Sequence, residues 1–306
     1  MKPVTILLSL AYLALFLVVP PLLPGVVNRV KSRLAGRQGP PVWQLYADLA
    51  RLARKGAVYS RTTTWVFRAG PVVGLAAVAT AGLVMAFGGA PAALSIAGDF
   101  VLFAYLLGLA RFATVLAALD TGSSFEGMGA AREVTFSSLA EPALFLCLMT
   151  LARATGSISL TGMLGPALPL AWGHAAPALL LCAIALFVVA LAENARIPVD
   201  DPNTHLELTM IHEVMVLDHS GPDLALILYG ASLKLFLFGA LFVRLILGFS
   251  VQGAAGVLVF LAGLVGFAAL VGIIESTMAR LRLVRVPQLL VGASVLSAFG
   301  LVLLLR

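Results

Sequence analysis

The sequence predicts an all-α integral membrane protein: a single transmembrane domain over 1–306, with eight transmembrane helices plus an amphipathic surface helix. Three observations carry this. The chain is 61% hydrophobic and 11% charged, with a mean hydropathy of +1.05, more apolar surface than a soluble domain of this size keeps in water. Apolar runs of helical length recur at 4–27, 66–88, 94–119, 139–156, 175–192, 224–247, 252–274 and 286–305, each close to what a helix needs to cross hydrocarbon. The alternating ten-residue strands of a membrane barrel are absent, so the bundle is expected to be helical.

Charge placement orients the spans. Basic residues cluster in the odd-numbered connections, from Arg29 to Arg68 and at Arg132, Arg196, Arg280, Arg282 and Arg285, while the other side has only Lys2 and Arg306. The positive side is expected to be cytoplasmic, with both termini outside. The net charge of +6 then reflects orientation and anionic lipid, and no nucleic acid is expected as a partner.

The first span ends at Pro20, Pro21 and Pro24 and lacks a small-residue cleavage site before Asn28, so it is expected to be retained. From about 41 to 55 the spacing of Val42, Leu45, Leu49 and Leu52 opposite Gln44, Asp48, Arg51 and Lys55 predicts the surface helix. It is either a lipid-anchored connector or the lip of a cavity entered from the bilayer. Gly70 and Gly74 open span two with spacing that permits close helix contact. Arg111 lies about two turns inside span three, where it needs an interior partner, as a structural ion pair or in a proton path. The connection holding Gly127, Gly129, Arg132, Glu133 and Glu141 combines acids with glycines that allow close backbone approach. Cys147 and Cys182 fall inside spans four and five as small core residues, and no paired-cysteine motif for an iron-sulfur cluster or zinc site occurs.

The segment 193–222, ENARIPVDDPNTHLELTMIHEVMVLDHSGP, sits between two spans as the most charged stretch of the chain. Thr204 and Glu207 have capping-box spacing, which predicts a helix to about Leu217. His205, His212 and His219 recur every seven residues, too far apart along a helix to share one metal ion. Carboxylates and imidazoles together suit proton transfer. Further along, Lys234 lies deep in span six and requires a partner or water, Arg244 can snorkel, and Glu275 with Arg280, Arg282 and Arg285 offers a mixed-charge surface.

The stretches ENARIPVDDPNTHLELTMIHE, GMGAAREVTFSSLAEP, RQGPP with its surface helix, and ESTMARLRLVRVPQLL resemble the respiratory complex I subunit 1 family over nearly the whole chain. Within it, DDPNTHLELTMIHE is similar to the membrane anchor of group 4 nickel-iron hydrogenases, the formate hydrogenlyase subunit 4 branch. The resemblance implies a non-catalytic subunit of a prokaryotic cytoplasmic-membrane complex that links electron transfer to proton or sodium movement. Its expected partners are hydrogenase-like large and small subunits and a ferredoxin-like subunit on the cytoplasmic side, and antiporter-like subunits in the membrane. A nickel-iron centre and iron-sulfur clusters are expected in those partners and no cofactor in this chain. Glu141 and Glu193 match membrane-edge acids, and Arg196, Asp200, Asp201, His205, Glu207 and Glu213 match the loop facing the peripheral arm. With Arg111, Glu133, Lys234 and Glu275, the acids Glu141, Glu193 and Glu213 form the expected proton-coupling set. The alternative is the quinone-site subunit of a complex I-like dehydrogenase. After Pro198 the wording departs from the quinone-reducing pattern, which leaves the quinone open.

Overall fold

The computed structural model describes residues 12–87, 92–200, 210–248 and 253–305. Asp201, His205 and Glu207 of the expected docking loop lie outside the described residues, as does the Thr204 cap.

Proline placement sets the first break. Helix α1 (Tyr12–Val18) and helix α2 (Leu22–Leu34) meet at 49° where Pro20 and Pro21 cannot continue the backbone hydrogen bonding. Together they are long and apolar enough to count as one bent span, broken where the sequence placed the end of the first span. Seven single helices are long and apolar enough to cross a bilayer: α4 (Trp65–Val84), α5 (Asp99–Asp120), α6 (Ser124–Thr155), α8 (Ala167–Glu193), α10 (Gly221–Leu247), α11 (Gly253–Thr277) and α12 (Val286–Leu303). The amphipathic stripe near residue 45 forms α3 (Gln44–Ala53), which rests against α2 and α10. Short turns α7 (Leu160–Met163) and α9 (His212–Met215) complete the order.

Two span starts differ from expectation. Helix α6 begins at Ser124, not near 139, because the polar GMGAAREVTFSSLAEP stretch is itself helical and carries Pro142 inside the helix. Gly129 accounts for its seat: a Cβ there would lie 2.2 Å from Val214 Cγ1 and 2.9 Å from the Ile211 carbonyl, so only glycine lets α9 lie against α6. Helix α8 starts at Ala167, and Ala175, two residues before Pro177, leaves helical geometry at a kink.

Burial separates centre from periphery. About 61% of the apolar window of α10 is buried against 28% for α12, so α10 is the axis and α12 a lipid-facing flank. At the axis, Gly239 admits the Phe267 ring, and Gly70 meets Ala117 across the α4–α5 contact, as its spacing predicts. Cys147 and Cys182 are fully buried, each thiol donating to the other's backbone carbonyl at 3.4 Å.

Candidate functional site

A charge held among apolar helices needs its counter-charge nearby. Arg111, on α5, meets three carboxylates: Glu141 Oε1 at 2.7 Å, Glu193 Oε1 at 2.5 Å and Glu133 Oε1 at 3.4 Å. Lys234, on α10, takes the other Glu193 oxygen at 2.8 Å. Four helices thus converge on one cluster of three acids and two bases, with one formal negative charge in excess. The Glu133 contact is the loosest, since Arg111 Nε makes no hydrogen bond at that distance. Side-chain exposure runs from 4% at Glu193 and 8% at Arg111 to 47% at Glu141. Glu141 therefore marks the open flank and Glu193 the dry end.

The cluster borders a cavity of about 100 Å³, bounded also by Gly70, Gly74 and His212. Beyond it, a second cavity of about 420 Å³ is lined by apolar side chains including Leu45, Leu224 and Leu228 and by the polar Arg196, Asp200, Glu213 and His219. Leu45 brings the surface helix to the edge of this cavity.

Carboxylates also fold the segment after α8. Asp200, 2% exposed, accepts the backbone N–H groups of Ile211 at 3.2 Å and His212 at 3.0 Å and pairs with Arg280 at 2.8 Å. Glu275 holds Lys31 at 2.7 Å and Arg196 at 3.3 Å, tying α2, α11 and the segment together. Arg132 donates to the Met210 carbonyl at 3.0 Å, and Glu126 accepts from Asp218 N at 3.2 Å.

Several expectations about side-chain placement change. Glu275 is not on a mixed-charge surface; its side chain is 0% exposed between two cations. Arg282 and Arg285 remain exposed. Asp200 is turned inward and committed to internal donors. Arg244 does not snorkel: at 4% exposure it donates to the Leu164 carbonyl, where the α7 turn reaches it. Of the helix expected to run to Leu217, the described residues contain only the single turn α9, and the described members of the histidine series separate. His219 stacks on Phe67 with ring centroids 3.9 Å apart, while His212 opens α9. Burial lowers the His219 pKa against the opposing charges of Asp223 and Asp218. For His212, burial and then Lys234 push it down to about 4, opposed by Asp200.

The structure brings Arg111, Glu133, Glu141, Glu193 and Lys234 together, sets Arg196, Asp200 and Glu213 at the neighbouring cavity, and leaves Glu275 in a separate ion cluster. Sequence reasoning named no role for His212 by itself, because its position between the cavities depends on folding around Asp200. The described residues contain no group of three or more His, Cys, Asp or Glu side chains able to hold a metal ion.

Comparison with known proteins agrees with this architecture. The NADH dehydrogenase family model matches residues 6–305. Hydrogenase-4 component C of Escherichia coli (strain K12) is 33% identical over 247 residues, covering 80% of this chain and 76% of that protein. Formate hydrogenlyase subunit 4 of the same organism is 31% identical over 283 residues, 89% of each chain. A chain in the structure of the membrane-bound sulfane sulfur reductase, an archaeal respiratory membrane complex, has the same fold, with a TM-score of 0.83, 20% identity and coverage of 98% of this chain and 99% of that one. On a family match that spans almost every residue and on two relatives above 30% identity, the chain belongs to the NADH dehydrogenase family, as a complex I subunit 1-like membrane protein of the branch containing hydrogenase-4 component C and formate hydrogenlyase subunit 4.

Proposed function

We propose that this chain is the membrane anchor and coupling subunit of a multisubunit energy-converting complex of hydrogenase type. It docks a peripheral redox module on its charged rim and links electron transfer there to proton or sodium translocation. The rim faces the cytoplasm of a prokaryotic cell, with both termini outside, because the basic residues gather there. Hydrogenase-like large and small subunits and a ferredoxin-like subunit supply the nickel-iron and iron-sulfur chemistry, and antiporter-like subunits flank the bundle.

The supporting observation is the position of Glu193. It ends α8, holds Arg111 and Lys234 at once, and leads directly into the segment that a peripheral module would touch. A shift of that segment would loosen Glu193 from one or both cations, and the surplus negative charge would then favour proton uptake by the cluster, with loosely held Glu133 or flank-exposed Glu141 nearest to exchange. Arg196, Asp200, Asp201, His205, Glu207 and Glu213 form the docking segment, Asp200 acting by holding it in shape.

In the assembled native complex, Glu193→Gln or Glu141→Gln is expected to leave the subunits together and cut ion pumping at least about tenfold, a threshold set below the roughly hundredfold low end for a positioned proton-transfer group. Pumping at the wild-type level in both variants overturns the reading. The 420 Å³ cavity keeps the quinone-site reading as the alternative, since its mixed apolar and polar lining suits an amphiphile and its size is that of a small-molecule site. Arg196, His212 and Glu213 would face a quinone head, whose chemistry when bound is two-electron, two-proton reduction. A redox-active quinone extracted in stoichiometric amount from the purified complex would establish it.

A further inference from the structure

The two cavities share a wall. Their common lining residues are Asn194, Ala195, His212, Ile227 and Ala231. Ala195, Ile227 and Ala231 have hydrocarbon side chains, and the Asn194 amide is tied to the Ala190 carbonyl at 2.7 Å and does not titrate. His212 alone among them can both accept and give up a proton. On one side it faces the cavity that holds Arg111, Glu133, Glu193 and Lys234; on the other it faces Arg196, Asp200, Glu213 and His219. Its backbone is anchored by the N–H donated to Asp200 at 3.0 Å.

We propose that His212 is the proton relay through this wall, a role that rests on the coupling function above. One ring nitrogen accepts a proton from the larger cavity while the other gives its proton, directly or through water, to loosely held Glu133 beside the smaller one. One proton enters and one leaves, and the ring is neutral before and after; reorientation of the ring resets it. Burial and the nearby Lys234 disfavour a lasting imidazolium, so the ring passes protons without storing charge beside the cluster.

The test uses the native complex reconstituted in vesicles, with proton translocation and electron transfer measured for His212→Gln, His212→Ala and Glu193→Gln. The expected result is a loss of translocation of at least about tenfold in both His212 variants, with partial recovery of His212→Ala on adding imidazole, which the larger cavity can admit. Glu193→Gln should not respond to imidazole. Wild-type translocation in His212→Gln alongside loss in Glu193→Gln overturns the relay and leaves the coupling function standing. Loss in His212→Ala without imidazole recovery, in a complex that retains all its subunits, also overturns it by making the ring's role structural. Wild-type translocation in all three, and in Glu141→Gln as well, removes the coupling function itself.

Discussion

Single residues decide whether α9 and the segment around it are seated. Gly129→Val is expected to destabilise the protein by about 1–3 kcal/mol, since the added carbons meet Val214 and the Ile211 backbone. Gly127→Ala, whose Cβ meets nothing within 4 Å, is the matched control, and thermal melts in detergent compare them. His212 supplies a pH dependence of known sign. Its folded pKa of about 4 lies below the ordinary 6.5, so the unfolded chain takes up a proton first as pH falls. Stability is therefore full above about pH 6.5 and is lost down to about pH 4, by on the order of 3 kcal/mol. Melts across that range should show His212→Gln lacking this component; an identical pH slope in variant and wild type would refute the assignment. At this scale the sequence revealed that Arg111 and Lys234 needed partners. It did not reveal which, because Glu141 and Glu193 stand 30 and 82 residues from Arg111 in the chain. Arg244 misled for a related reason: the carbonyl it reaches belongs to a turn 80 residues away.

Among the elements, helices were legible where hydrophobic length alone defines them. Boundaries failed where polar residues continue a helix, as in α6, and the seat of α9 was not legible because Asp200, a carboxylate eleven and twelve residues away in the chain, accepts the N–H groups of Ile211 and His212. Asp200 and Arg280 are 80 residues apart and 2.8 Å apart in space, so the segment keeps its shape through α11's exit as well as through its own sequence. Removing either partner breaks a largely buried ion pair, at about 3–5 kcal/mol. Asp200→Ala and Arg280→Ala are each expected to speed proteolytic cleavage within 194–219 and to weaken co-purification of soluble partners together. If Asp200→Ala releases partners while cleavage stays at the wild-type rate, Asp200 contacts the partner directly. On the other side, the N–H of Val58 bonds the Ser220 hydroxyl at 3.1 Å and Gly221, at φ 54°, approaches the Gly56 carbonyl closely. The chain after α3 is thereby fastened to the start of α10, beside the larger cavity.

For the whole molecule, the distribution of charge predicts its setting in the membrane. A cysteine introduced at exposed Arg37 is expected to react with a membrane-impermeant maleimide in inside-out vesicles and to be protected in right-side-out ones; the reverse pattern would invert the proposed orientation. Cys147 and Cys182, fully buried, leave the native background silent. The overall bundle was readable in advance because hydrocarbon imposes one local rule on every span. The cavities and the ion cluster were not, because they are properties of how the spans converge. That convergence also exposes the protein to electricity. Three acids and two bases, all ionised, leave one negative unit over, and in the proposed setting that unit lies part-way into an insulating layer. A voltage of 100 mV does about 2.3 kcal/mol of work on an elementary charge carried across the full layer, and a fraction of that at the cluster's depth. If the chain couples as proposed, it would feel the battery it helps to charge, and slow as that battery fills.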